Sequence, residues 1–150
     1  MYPFVLATHN IVRWLVLIAA VAAIALAVAG WLGKKEWTKT GNMVGGMFVG
    51  LLDLNVFLGL ILYFFLSPIT QAVFANFGAA MKDPTLRFFG VEHIFTLLVA
   101  LALAHVGRAL SKKAGDAVKK YRAAAIWFTL SLLAILAMIP WNRPLWPGLG

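Results

Sequence analysis

The chain contains no cysteine, which excludes disulfides, thiolate metal sites and cysteine nucleophiles. It is also short of charge, and of acid above all. Asp and Glu number five against thirteen Lys and Arg, and charged residues make up 12% of the sequence, about half of what a soluble domain carries. No Ser-His-Asp set, phosphate-cradling glycine loop or zincin motif occurs, so hydrolysis and nucleotide chemistry have no support. Apolar residues fill the space that charge leaves: 63% of the chain is hydrophobic and the mean hydropathy is +0.90. At 150 residues, one domain is the natural count.

A membrane-spanning helix needs about 20 mainly apolar residues. Four stretches qualify: about 4–32, 43–66, 85–110 and 123–140. The expected fold class is therefore all-α, a transmembrane four-helix bundle. The first stretch lacks the positive leader of a secretory signal and reads as a retained span.

The net charge of +8 does not read as a nucleic-acid surface, because most basic residues sit in two short connections. Lys34, Lys35 and Lys39 flank the first connection, and Arg108, Lys112, Lys113, Lys119, Lys120 and Arg122 the third. Only Lys82, Arg87 and Arg143 stand on the opposite side. By the positive-inside rule, nine against three places both basic connections on the cytoplasmic side, with both termini outside. Trp31, Trp37 and Tyr121 then fall at the inner interface, and Tyr2, Tyr63, Trp141 and Trp146 at the outer one.

The longest connection, 67–84, lies outside. Ser67-Pro68 offers a helix start, Ile69, Val73, Phe74 and Phe77 recur at helical spacing, and Gly78 can end the turn. This predicts either a short interfacial helix over the outer mouth or an ordinary surface loop. Asp83-Pro84 repeats the start signal for the third span. The tail, 140–150, is rich in Pro, Gly and Trp and is expected to be an extended interfacial strap.

Ionisable residues inside a membrane are costly and mark function. The candidates are His9, Arg13, Asp53, Glu92, His93 and His105. His9 lies about 9 Å and His93 about 12 Å along helices that both run inward from the outer face, so the two match in depth on parallel neighbours. His105 lies about 18 Å deeper than His93. Imidazoles from two helices at one depth fit axial ligation of haem iron in a bundle core. Gly90, on the His93 face, would leave room for the macrocycle. Arg13 would pair a propionate or Glu92, and Arg87 is a second propionate candidate. His105 would serve a second, inner haem with Met43 or Met47, or a five-coordinate iron. Alternatively, each histidine bonds a carbonyl or carboxylate and only locks helices together. Gly46, Gly50 and Asp53 share a helix face, which predicts Asp53 in the interior as a hydrogen-bond partner or proton relay. Glu92 is expected to serve Arg13 or to support His93 from behind. A hard-metal site built on His9, His93, Asp53 and Glu92 has no close ligand spacing behind it.

Several stretches carry a resemblance: Thr8-His9-Asn10-Ile11-Val12-Arg13-Trp14, Gly59-Leu60-Ile61-Leu62-Tyr63-Phe64, Met81-Lys82-Asp83 through Leu86-Arg87-Phe88-Phe89, Val91-Glu92-His93, Gly107-Arg108 with Ser111-Lys112-Lys113-Ala114, and Ile139-Pro140-Trp141. Over nearly its whole length the chain resembles small bacterial four-helix membrane proteins labelled cytochrome b-like. The resemblance implies haem b, one or two per chain, and electron transfer in the membrane, with quinone or a larger respiratory or photosynthetic complex as partner. His9, Arg13, Glu92 and His93 fall in its motifs. Asn142-Arg143-Pro144-Leu145-Trp146 extends past the family's usual ending. Two other readings stand beside it. One is a cofactor-free accessory subunit that docks on a larger complex through its small-residue faces and aromatic tail, although so many Ala and Gly faces suit a homo-oligomer as well as internal packing. The other is a small transporter or proton pathway using Asp53, Glu92 and Arg13.

Overall fold

The computed structural model describes residues 1–146, so the last four residues of the expected tail strap lie outside the described residues. Among the described residues the secondary structure is helical, with no strand. Helix α1 (Tyr2–Leu32) starts on a proline in its first turn, where the missing N–H costs nothing. It stops where Lys34 turns left-handed (φ 49°) and the Lys35 N–H returns to the Gly30 carbonyl at 3.0 Å. Thr38 caps α2 (Lys39–Ile61), its hydroxyl accepting from the Gly41 N–H at 3.0 Å. The helix widens into a π turn over Leu62–Leu66.

Short helices α3 (Pro68–Ala75), α4 (Phe77–Ala80) and α5 (Pro84–Arg87) follow. A second π turn, Phe88–Glu92, leads into α6 (His93–Lys113), and α7 (Ala117–Ala137) closes the fold. The fourth long helix begins at Ala117, earlier than its apolar run. The Asp116 carboxylate accepts from the Lys119 N–H at 2.9 Å and starts the helix while it is still basic. In the longest connection, Ser67 holds the N-cap position of α3 without a side-chain bond. The turn ends at Asn76, whose side chain caps α4, and not at Gly78.

Four helical stretches, Tyr2–Leu32, Lys39–Leu66, Pro84–Lys113 and Ala117–Ala137, are long and apolar enough to cross a membrane. They pack in a ring, α1 on α2, α2 on α6, α6 on α7 and α7 on α1. Helices α1 and α6 thus stand at opposite corners. The expectation that they are adjacent is corrected: the basic connections join α1 to α2 and α6 to α7, and α1 closes the ring on α7.

At the end of the basic connections the helices approach closely. A Cβ on Gly30 would lie 2.6 Å from the Tyr121 ring, and one on Gly107 2.6 Å from the Trp127 Cβ. Ala20, Ala23 and Ala27 of α1, Ala100 and Ala104 of α6, and Ala124 and Ala125 of α7 are buried beside them. Phe48 and Phe128 meet edge to face at 5.2 Å. The Tyr121 hydroxyl donates to the Glu36 carbonyl at 2.8 Å and accepts from the Thr38 N–H at 3.3 Å, tying the first connection to α7.

Candidate functional site

Towards the other end the helices part around a cavity of about 530 Å³. That volume falls in the range of about 300–1,000 Å³ usual for small-molecule and cofactor sites. Its walls are mainly apolar, among them Leu52, Val56, Leu97, Ile135 and Ile139, and His9 and His93 both line it. His9 comes from α1 and His93 from α6, so the two imidazoles enter from opposite corners of the ring.

Each ring is fixed by a backbone carbonyl of a different segment. His9 Nδ1 lies 3.1 Å from the Asn55 carbonyl oxygen on α2. His93 Nδ1 lies 2.8 Å from that of Met138, just past α7. A carbonyl oxygen only accepts, so Nδ1 carries the proton in both rings. In the neutral imidazole that leaves the Nε2 lone pair free, and neither Nε2 makes a hydrogen bond among the described residues. The ring of His9 can reach α2 because position 59 is glycine, where a Cβ would sit 3.3 Å from His9 Cε1.

The cavity also collects cationic side chains without acids. Arg13 is only 7% exposed and makes no ion pair with a carboxylate among the described residues. Its guanidinium donates to Asn10 Oδ1 at 3.2 Å and to the Leu145 carbonyl, which also accepts from Trp14 Nε1 at 3.1 Å. Arg13 Nε is buried with no partner, and so is Asn55 Oδ1. Arg143 also lines the cavity and lies over the Phe89 ring at 4.5 Å. Through these contacts residues 141–146 turn back across the cavity. They form a turned strap rather than the expected extended one, pinned by Leu145 and by the Trp141 ring N–H on the Leu136 carbonyl at 3.0 Å.

The two π turns face each other beside the cavity. The Tyr63 hydroxyl, from the first, donates to the Gly90 carbonyl of the second at 2.7 Å. A π turn leaves carbonyls off the regular ladder, and such turns recur at functional sites. Gly90 does not make room for a flat ring beside His93, as the sequence had implied. A Cβ there would lie 2.9 Å from the Val73 side chain, so the glycine admits α3.

The remaining candidates lie elsewhere. Arg87 and Glu92 pair with each other at 2.7 Å, both exposed and neither lining the cavity. Arg87 is therefore not placed to hold a group in the cavity, and Glu92 serves neither Arg13 nor His93. Asp53 is not interior. The buried face of α2 is Gly45, Phe48, Val49, Leu52 and Asn55, rotated by one residue, about 100°, from the face of Gly46, Gly50 and Asp53. Asp53 is exposed and hydrogen-bonded to His105 Nε2 at 2.7 Å, on the outer surface between α2 and α6. His105 lines no cavity with His9 or His93, and Met43 and Met47 point outward, so no second two-ligand centre forms there. Among the described residues no group of three or more His, Asp or Glu could hold a metal ion, which removes the geometry a hard-metal site needs.

Asn55, Tyr63 and Arg143 escaped the sequence reading. A search confined to ionisable residues passes over Asn55 and Tyr63, although an amide in an apolar span is itself a signal. Arg143 counted only as an outer-loop charge. Compared with protein-family models, with curated proteins and with solved structures, the chain finds no match.

Proposed function

We propose that the chain is a membrane-spanning four-helix bundle that holds one b-type haem between His9 and His93 and carries single electrons within the membrane. The observation that carries this reading is the pair of imidazoles. They enter one apolar cavity from opposite corners, each with Nδ1–H on a carbonyl and Nε2 free. A carbonyl bond of this kind is the usual support of a ligating histidine, because it sets the tautomer and the ring plane. The remaining residues fit the group. Arg13, with its unpartnered buried Nε, and Arg143 pair with no acid among the described residues and suit the two propionates. When bound, haem supplies one-electron redox chemistry, with a potential set by its ligands and burial. The protein's part is to hold both imidazoles unprotonated at Nε2, to neutralise the carboxylates and to keep water out with the strap at 141–146. The cytochrome b-like resemblance points the same way, with quinone or a larger redox membrane complex as the electron partner.

Nine basic residues against three argue for the basic connections in the cytoplasm and the cavity in the outer half of a bacterial inner membrane. Helices α3 and α4 then lie at the outer interface, with Val73 turned inward and Phe74 and Phe77 exposed. Tags placed on the 114–116 connection should be reached only from the cytoplasmic side. A tag there accessible from outside would reverse the orientation. The haem reading is tested by the visible spectrum of the detergent-purified protein. A Soret band that shifts on dithionite reduction is expected. A folded protein that stays colourless after incubation with haem would leave the cofactor-free reading in its place.

A further inference from the structure

Asp53 and His105 are a hydrogen-bonded pair on the outside of the helix ring, 48% and 52% exposed. Asp53 is fourteen residues from Lys39 and thirteen from Leu66, the ends of its helical stretch, or about 20 Å of helix from either. His105 is eight residues, about 12 Å, from Lys113 at the basic end of its own stretch, so with a hydrocarbon core about 30 Å thick the pair lies within the core, in its basic-side half. Ionisable side chains at such a depth face protein or water rather than lipid tails. Yet the described residues leave about half of each side chain uncovered, and Asp53 Oδ2 and His105 Nδ1 have no partner among them.

Gly50, one turn before Asp53 on the same face, gives a second indication. A Cβ there would meet nothing within 4 Å, so no contact inside the chain needs a glycine. In a helix interior glycine is among the least favourable residues. On α6, Ala102 lies one turn from His105, on the other side of the pair in depth because α6 runs antiparallel to α2, and is also exposed. Small residues on both sides of the pair let a second backbone approach closely.

We infer that the α2–α6 face is a two-fold interface with a second copy of this chain, closed by Asp53 and His105 of both copies. The charge pattern selects that occupant. A two-fold axis along the membrane normal keeps depth and reverses direction in the membrane plane, so the second copy brings an antiparallel pair to the same level. The free carboxylate oxygen of each Asp53 then meets the free Nδ1 edge of the other copy's His105. Each imidazole ring then lies between two carboxylates, one from each copy, so that the polar atoms left open in one copy meet those of the other. A self-complementary patch of this kind is what an isologous interface requires.

The absence of cysteine makes the test clean. Ala102→Cys in the full chain, reconstituted in liposomes and oxidised with copper-phenanthroline, should give a crosslinked band at twice the chain mass. Ile18→Cys, on an exposed position of α1, should not. In the Ala102→Cys background, Gly50→Leu should fold with unchanged helicity but lower the crosslinked fraction, and Asp53→Asn should weaken association roughly tenfold by loss of interhelical hydrogen bonds. The interface is overturned by any of four results. These are a monomeric band only, a crosslink of another mass, equal crosslinking from Ile18→Cys, or crosslinking that neither Gly50→Leu nor Asp53→Asn reduces. None of these readings depends on haem being bound.

Discussion

At the basic end the four helices meet through glycine and alanine, and aromatic rings fill what space remains. Tyr121 sits in the notch of Gly30, and Phe128 lies on Gly45 and Gly107. At the other end the same helices are held apart. Two π turns widen the backbone, and buried polar groups are tolerated without partners. Close packing is worth stability, whereas an apolar cavity and a buried Arg13 Nε without a partner cost it. An end that gives up packing, and lines the gap with two imidazoles, is what the proposed haem site requires. The comparison predicts that substitutions at the cavity end change what is bound, while those at the basic end change whether the chain folds.

The largest effect is expected at the cavity. His93→Ala should abolish haem retention or leave a high-spin residue of it, with helicity by circular dichroism unchanged. Wild-type haem content in both His93→Ala and His9→Ala would break the comparison. Next comes Gly107→Leu at the packed end, where a side chain must displace Trp127 and Phe128. Overpacking of this kind costs about 1–3 kcal/mol, read as a lower unfolding midpoint in detergent, while any protein that survives should keep the wild-type Soret band. Arg13→Gln removes a buried cation from the cavity. Hydrogen bonds to charged groups are worth about 1.5–3 kcal/mol, so haem should pass to apomyoglobin about tenfold to a hundredfold more readily.

The four helices and their ends were largely legible in the sequence, because a bilayer leaves long apolar runs and basic flanks that composition reveals directly. That His9 and His93 reach one level of the bundle, where both line the same cavity, was legible through depth. What failed was azimuth. Choosing the interior of α2 by its glycines put Asp53 inside, whereas Phe48, Leu52 and Asn55 set the buried face one residue away. On an apolar helix every face is greasy, so no amphipathic stripe marks the core. The order of the helices around the ring was equally invisible, since short connections do not say which pair closes it. A strap was expected, but its turn back over the cavity, which brings Arg143 to the wall, was not, because Leu145 holds it there through contacts with α1 more than a hundred residues away in sequence.

Smaller effects sharpen the comparison. Tyr63→Phe deletes the bond that joins the two π turns and should cost about 1 kcal/mol of stability, with a small change in the Soret band because the turns border the cavity. At the basic end, Asp116 caps α7, and the Lys119 N–H holds its carboxyl below the ordinary carboxylate range. A depressed folded value means that this stabilisation is complete above about pH 4, the unfolded value, and is lost as pH falls through the folded one. Asp116→Asn should keep the cap but flatten that part of the acid-unfolding profile, leaving the cavity spectrum untouched.

The most direct test of the central claim is the near-infrared magnetic circular dichroism of the oxidised, purified protein, which reports both axial ligands of a haem. Two imidazoles, one from each opposite corner, predict a low-spin bis-histidine signature lost in His9→Ala and in His93→Ala but kept in His105→Ala. A histidine–methionine signature, or a bis-histidine signature that disappears with His105 and survives loss of His9, would contradict the account.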